Sequence, residues 1–250
     1  MGRRGALDTP SGVVKFVLNT IAVLTSQRGY DRLAPFYQAI EWLVFGNRLQ
    51  QARTALLEDL PPWRRLLLLG DGDGRLLQCL CASAAAADQA PSSRPADRKI
   101  LSVDLSRAML ERQQAGVETT VTHICVEYLQ RDACHYIPEP GIYDVLLTPF
   151  FLDCFSRLEL ETHLPNWLTA LRPGGVLYHI DFVLPAGGWQ RPAGWLLITL
   201  MHLFFRWQTG LQNRRLVDPQ PLFEQHGFRK VAERFGVHGL VVSQLWEKPS

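Results

Sequence analysis

The spacing of hydrophobic residues changes along the chain at two adjacent prolines, Pro61 and Pro62. Before them, residues 13–26 and 31–58 place apolar side chains at helical intervals. After them, short apolar runs alternate with stretches of helical period, which is typical of βαβ units on a mainly parallel sheet. The predicted strands are 66–69, 100–103, 121–124, 143–147, 175–182, 228–235 and 240–246.

The length of the chain agrees with one α/β unit carrying additional segments. A chain of 250 residues that is 47% hydrophobic can bury one sizeable core. We predict an N-terminal helical cap over 1–62 and an α/β domain over 63–250. Within the domain, residues 81–99 are rich in Ala, Ser and Pro. The alanine half can extend a helix, and the Pro/Ser half is typical of a surface loop.

Charge and cysteine content exclude several functional classes. The net charge is +2, and the arginine pairs lie far apart in sequence, so we expect no nucleic-acid partner. The five cysteines form neither a Cys-x-x-Cys pair nor a zinc-type spacing. We expect reduced thiols, no metal and a cytoplasmic protein. The apolar runs at 13–25 and 195–205 fall short of the roughly 20 residues that span a bilayer, although surface contact with a membrane stays open.

Three glycines at alternate positions, Gly70, Gly72 and Gly74, follow the first predicted strand in "LLLLGDGDGRLL" and precede a helical pattern. Glycine there permits positive φ and close approach of a ligand to the backbone. The following helix N-terminus offers free N–H groups and a partial positive charge. This spacing predicts a nucleotide-type turn, with a purely structural turn as the alternative.

An acid, Asp104, ends the second predicted strand in "KILSVDLSRAML". A carboxylate at that position can accept hydrogen bonds from both hydroxyls of a ribose. The alternative is that Asp104 is only an acid near a helix N-terminus, with Ser106 as the cap. Asp104 lies 30 residues after Gly74, more than the usual spacing of about 20, and the 81–99 stretch accounts for the excess.

Four motifs in this order resemble the class I S-adenosylmethionine-dependent methyltransferases, in particular their ubiquinone/menaquinone-type small-molecule branch. They are "LLLLGDGDGRLL", "ILSVDLSRAML", "YDVLLTPFFLDCF" and "LRPGGVLYHIDF". "YDRLAPFYQAIEWLVFG" resembles the helical segment that precedes the sheet in that family, and the resemblance covers most of residues 30–246. It implies a doubly wound, Rossmann-like α/β fold whose seven-stranded sheet has six parallel strands and a reversed last one. It also implies a helical lid near 189–215.

The resemblance further implies S-adenosylmethionine as cofactor and a set of cofactor-binding positions. They are Gly70, Asp71, Gly72, Gly74, Asp104, Leu105, Glu127 and Thr148. Asp104 would bind the ribose, and Leu105 would pack against the adenine. Glu127, read as lying in a loop after the third strand, would approach the adenine amino group. Thr148 and Pro149 would border the methyl group.

The sequence departs from the family pattern in the first motif. Leu68 stands where the family often has an acid, and Asp71 and Asp73 replace small residues. These carboxylates cost little if they face solvent, or if one meets the ammonium or sulfonium charge of the cofactor. They weigh against a pyrophosphate, as does Arg75 in place of a further glycine, so an NAD-dependent oxidoreductase is a less favoured alternative. A catalytically silent binding or assembly protein is the other alternative.

Methyl transfer relies largely on orientation and requires a base only for a protonated acceptor, so the catalytic residue is not fixed by the pattern. The candidate bases are Asp153, Tyr30, Tyr37, His179 and His202. Asp153 follows the fourth strand and could instead cap a helix near Ser156, and His179 fits a satisfied core residue.

The segment 193–210 combines a bulky apolar surface with one polar stripe of Thr199, His202 and Arg206. We interpret it as the wall of a substrate pocket, with core packing, a membrane surface or a dimer surface as alternatives. The predicted function is methyl transfer to a small apolar or aromatic molecule, by a monomer or a homodimer.

Overall fold

A computed structural model of the chain describes residues 47–88, 97–118, 124–183 and 216–250. The predicted helix 13–26, the predicted lid at 189–215 and the candidate bases Tyr30, Tyr37 and His202 lie outside these ranges. The predictions for them therefore stand as predictions.

The seven strands of the described residues form a single sheet. The strands are β1 (Arg65–Leu69), β2 (Arg98–Asp104), β3 (Ile124–Gln130), β4 (Tyr143–Pro149), β5 (Leu171–Phe182), β6 (Arg229–Gly236) and β7 (Val241–Glu247). Their order is β3-β2-β1-β4-β5-β7-β6. Pairing is parallel from β3 to β5, whereas β7 runs antiparallel to both β5 and β6. The prediction of six parallel strands and one reversed last strand is confirmed.

Helices lie between the strands as the βαβ pattern predicts. They are α1 (Arg48–Thr54), α2 (Arg75–Asp88), α3 (Arg107–Glu118), α4 (Arg157–Thr169) and α5 (Gln220–Gln225). Three 3₁₀ turns complete the described elements: Ala133–His135, Leu152–Cys154 and Val237–Gly239. The alanine run extends α2, as predicted. The predicted helix 31–58 is too long at its C-terminal end, because residues 55–60 form turns before the two prolines.

The sheet divides the hydrophobic core into two clusters, and the four leucines of β1 contribute side chains to both. Leu66 and Leu68 belong to one apolar cluster and Leu67 and Leu69 to the other, and all four are fully buried. Side chains alternate across a strand, so a continuous apolar run is what a strand covered on both faces requires. The first cluster also contains residues of α1.

The third strand is the element whose prediction was wrong. It spans Ile124–Gln130 rather than 121–124. β3 is an edge strand, and no residue in it is fully buried. An edge strand with polar side chains gives a weak hydrophobic pattern, so its position was read too early in the sequence.

The structure also bears on the state of the cysteines and on membrane-spanning helices. All five cysteines are free thiols. Within the four described ranges, no helix is long and apolar enough to cross a membrane.

Candidate functional site

The candidate site lies where the carboxyl ends of β1, β2, β4 and β5 meet. Backbone hydrogen bonds join these ends: the Gly70 N–H donates to the Val103 carbonyl at 2.9 Å, and the Phe150 N–H donates to the Ile180 carbonyl at 2.7 Å. In open α/β sheets, ligands bind in the crevice outside this edge. The glycine turn, Asp104 and the segment after β4 are therefore brought together as predicted.

The glycine turn is packed on one side and open on the other. A Cβ on Gly74, which has φ +88°, would lie 2.8 Å from Cα of Gln113 in α3. A Cβ on Gly72, which has φ +61°, would meet nothing within 4 Å. Gln113 also fixes the turn, because its side-chain amide donates to the Gly72 carbonyl at 2.8 Å. Gly74 is thus required by packing, whereas Gly72 leaves its backbone accessible.

The two aspartates of the turn are buried, with exposed fractions of 6% for Asp71 and 3% for Asp73. Asp71 Oδ2 accepts the Leu77 N–H in the first turn of α2 at 2.9 Å, and Asp73 Oδ1 accepts from Arg75 Nε at 3.1 Å. The second oxygen of each, Asp71 Oδ1 and Asp73 Oδ2, is buried without a hydrogen-bond partner. Of the two situations in which these carboxylates would cost little, exposure to solvent is therefore not the one found.

Burial sets the acidity of Asp71. Desolvation raises the pKa of Asp71 from 3.8 to about 7, partly offset by the Leu77 N–H and the charge of Arg53. A buried oxygen without a partner costs free energy, so the turn favours a ligand that brings hydrogen-bond donors or positive charge.

Arg53 is a functional candidate that the sequence reading missed. It lies in α1, is 3% exposed, and its guanidinium carbon is 4.9 Å from the centre of the Phe150 ring. Leu49 and Ala52 lie on the same buried face of α1, and Leu56, in the turn after the helix, is buried as well. A charged residue within such an apolar stripe was a detectable signal in the sequence.

Asp104 stands at the end of β2, next to the glycine turn. Its Oδ1 accepts the Ser106 N–H at 2.9 Å, and the Ser106 hydroxyl accepts the Met109 N–H at 3.2 Å. Ser106 therefore caps α3 as predicted, and Asp104 is oriented by the same turn. Leu105 is half-buried between them.

The prediction for Glu127 needs a correction. Glu127 lies inside β3, paired with Leu101, and not in a loop after the strand. With about 3.3 Å per residue, it is roughly 10 Å short of the strand end at Gln130. The acid just past that end is Asp132, which the sequence reading missed because β3 was placed too early. Asp132 Oδ1 accepts the Cys134 N–H at 2.9 Å.

Thr148 and His179 lie inside the core between β4 and β5. Both are buried, and Thr148 Oγ1 is 3.3 Å from Nδ1 of His179. Burial lowers the pKa of His179 to about 3, so the imidazole is neutral at physiological pH. His179 is thus a core residue, as its apolar strand suggested, and contact of Thr148 with a methyl group remains a prediction.

Asp153 lies in the 3₁₀ turn that follows β4, beside a second acid that the sequence reading did not name. Its N–H donates to Oδ2 of Asp181 in β5 at 2.9 Å. Asp153 does not cap the following helix, because Ser156 does so in a capping box with Glu159. An acid inside the apolar strand "VLYHIDF" was the signal for Asp181.

No protein-family model matches this sequence, and no curated protein matches it either. Solved structures do match in fold. The 1,6-didemethyltoxoflavin-N1-methyltransferase of Burkholderia thailandensis, with its substrate and S-adenosylhomocysteine bound, is 16% identical with a TM-score of 0.58, over 98% of this chain and 94% of that one.

Two further structures give the same result. The N-methyltransferase NodS of Bradyrhizobium japonicum WM9, in complex with S-adenosylhomocysteine, is 14% identical with a TM-score of 0.51, over 82% of this chain and 88% of that one. A chain solved with the Haloferax volcanii Trm112 methyltransferase activator is 13% identical with a TM-score of 0.57, over 90% and 97%. The chain therefore has the Rossmann-like fold found in S-adenosylmethionine-dependent methyltransferases.

Proposed function

We propose that this protein transfers a methyl group from S-adenosylmethionine to a small molecule. The observation that carries the proposal is the glycine turn itself. Its backbone is open at Gly72, and two buried carboxylate oxygens beside it, Asp71 Oδ1 and Asp73 Oδ2, have no partner. A cofactor with an ammonium group and a sulfonium charge supplies the donors and the positive charge that these oxygens accept.

The residues present fit this cofactor along the carboxyl edge of the sheet. Asp71 and Asp73 would meet the ammonium group of the amino-acid end, and Asp104 would bind the ribose hydroxyls. Leu105 offers an apolar surface to the adenine, and Asp132 is better placed than Glu127 to meet its amino group. When bound, S-adenosylmethionine supplies an electrophilic methyl carbon, and the chain orients the acceptor toward it.

The same two carboxylates disfavour the nicotinamide alternative. A pyrophosphate carries negative charge, and at the turn it would lie beside Asp71 and Asp73 in a buried region. Like charges in such surroundings repel strongly because little water screens them. A catalytically silent binding protein is the second candidate. It is favoured by Leu68, which is fully buried where the resemblance leads us to expect an acid.

Isothermal titration calorimetry with S-adenosylmethionine, S-adenosylhomocysteine and NADH tests the proposal. We expect saturable binding of the first two and none of NADH. Asp71→Asn should weaken S-adenosylmethionine binding about tenfold, since an ammonium group would favour the ionised carboxylate, and asparagine cannot ionise. Asp144→Asn, at the opposite end of the sheet, is the matched control and should bind normally. No binding at millimolar S-adenosylmethionine would overturn the proposal, and binding without turnover would favour the silent alternative.

A further inference from the structure

Two carboxyl groups meet where β4 and β5 end. Asp181, at the end of β5, is 3% exposed, and Asp153 lies in the 3₁₀ turn after β4. Asp181 Oδ1 accepts the Phe182 N–H and Oδ2 accepts the Asp153 N–H, both at 2.9 Å. The pair is therefore held by backbone donors on both strand ends.

Two ionised carboxylates at one buried place repel each other, and neither can donate to the other. Burial, and then the negative charge of Asp153, raise the pKa of Asp181 well above its ordinary value. Asp181 is therefore the member of the pair whose protonated form the surroundings favour. Among the described residues, the Cys154 thiol also contacts the pair, with its Sγ 3.5 Å from Asp153 Oδ1.

The pair belongs to the same edge as the glycine turn. Phe151, two residues before Asp153, packs directly against Gly70, since a Cβ there would lie 2.4 Å from the Phe151 ring. Asp153 is half-buried, whereas Asp181 is enclosed. Asp153 is therefore the member of the pair that a bound molecule can reach.

We propose that Asp153 takes the proton from the methyl acceptor, that Asp181 is its positioning residue, and that the acceptor presents a neutral N–H or O–H group. This inference rests on the proposed function. The acceptor nitrogen or oxygen forms a bond to the methyl carbon while the bond from that carbon to sulfur breaks. The proton released from the acceptor passes to the Asp153 carboxylate and then to solvent, so charge and atoms balance.

The charge of the pair selects the acceptor class. The negative charge of the Asp153 carboxylate would repel an acceptor that is already an anion, such as a thiolate. A neutral amine or hydroxyl instead donates its hydrogen to the carboxylate, which both orients the nucleophile and removes its proton.

The first test needs no turnover. Carbon-13 NMR of the protein labelled at aspartate carboxyl carbons follows the titration of Asp181, assigned by the signal that Asp181→Asn removes. We expect Asp181 to titrate well above a free aspartate in the wild type and at lower pH in Asp153→Asn. Calorimetry should give S-adenosylmethionine affinities within about threefold of wild type for both variants. Asp144→Asn should change neither the titration nor the affinity.

The second test measures transfer to aromatic amines and phenols, with the corresponding thiophenols for comparison. We expect amines or phenols to be methylated, kcat to fall about 100-fold in Asp153→Asn, and KM to change little. Asp181→Asn should lower kcat about tenfold and shift the pH dependence of the rate, which a merely structural residue would not do.

Several outcomes would overturn the inference. The first is independent titration of the two acids, and the second is an unchanged kcat in Asp153→Asn. The third is that protein which binds S-adenosylmethionine methylates only thiophenols, or methylates none of the N–H and O–H probes. If calorimetry detects no S-adenosylmethionine binding, the proposed function itself fails. If binding is normal and the acids titrate independently, only the inference fails.

Discussion

Aspartate side chains at the two ends of the sheet differ in how completely they are hydrogen-bonded. At the amino end of β4, Asp144 accepts the N–H groups of Arg64 and Arg65 at 2.7 and 2.9 Å and the Arg172 Nε at 2.6 Å. At the carboxyl end of β1, Asp71 Oδ2 accepts the Leu77 N–H, and Oδ1 is buried without a partner.

Their pKa values follow from this difference. Burial raises the pKa of Asp144, but the Arg65 and Arg64 N–H groups and Arg172 outweigh it and lower the pKa overall. Burial raises the pKa of Asp71 to about 7, and too few donors compensate. At the amino end, Asp144 has all its hydrogen-bond and charge partners within the protein. At the carboxyl end, Asp71 lacks such partners, and a cationic ligand would supply them. Incomplete satisfaction of buried acids thus distinguishes the ligand-binding edge from the structural edge.

The largest expected effect comes from Asp71→Asn, which removes the unfavourable charge. Well below pH 3.8, Asp71 is protonated in both folded and unfolded chains, so the substitution should change stability little. As the pH rises to 7, the unfolded chain ionises and the folded one does not, and the wild type loses stability. At pH 8 the variant should be more stable by up to about 4 kcal/mol. Urea unfolding at pH 4, 6 and 8 checks this, and a pH-independent difference would contradict it.

Asp104→Ala should weaken S-adenosylmethionine binding by roughly 1–3 kcal/mol, because it removes charged hydrogen bonds to the ribose. Calorimetry of the variant against wild type measures the change. Because Asp104 also orients the Ser106 turn, circular dichroism should first confirm that the variant is folded. Unchanged affinity would mean that Asp104 serves only the start of α3.

Substitution of two matched glycines, one at each end of the sheet, tests which end binds the ligand. Gly72 and Gly174 have φ of +61° and +68°, and a Cβ on either would meet nothing within 4 Å. Alanine at each should cost about 1 kcal/mol of stability through left-handed backbone strain. Gly72→Ala should also weaken S-adenosylmethionine binding at least tenfold, whereas Gly174→Ala should not. Equal affinities would remove the basis for assigning the ligand to the glycine turn.

The smallest effect is expected for Asp144→Asn, with a pH dependence of the opposite sign to that of Asp71→Asn. The depressed pKa of Asp144 stabilises the fold above the unfolded pKa, and this contribution is lost as the pH falls through the folded pKa. At pH 7 the variant should be less stable by about 1 kcal/mol, since the ion pair is partly exposed. The difference should vanish once the pH is below the folded pKa of Asp144, and a difference that persists there would argue for a purely steric cause.

Much of the fold could be predicted because the central strands are covered on both faces. The leucines of β1 and the apolar runs of β4 and β5 produced uninterrupted patterns, and six of the seven strands lay close to their predicted positions. The edge strand β3 has no fully buried residue, so its pattern was weak and its predicted position was wrong. Because of this error, Glu127 was predicted to lie in a loop, and Asp132 was not recognised as the acid that follows the strand.

The site was predictable in outline but not in its charges. The glycine spacing and Asp104 could be read from the sequence because turns and strand ends have local signatures. The burial of Asp71 and Asp73 depends on α1 and α3, which the sequence does not place in space. Arg53 and Asp181 were missed because each is a single charge within an apolar pattern. Such isolated charges in strands and helices merit the same attention as the motifs themselves.

The way α1 is attached to the sheet determines where the chain can be shortened. The Tyr178 hydroxyl donates to the Arg53 carbonyl at 2.9 Å and accepts the Leu56 N–H at 3.1 Å, and the Ser243 hydroxyl donates to the Ala52 carbonyl at 2.8 Å. A truncated protein beginning at residue 63 would leave both hydroxyls without these partners and uncover the apolar surface beneath α1. For expression and crystallisation, a shortened chain should therefore keep α1 and residues 55–60 together with the sheet.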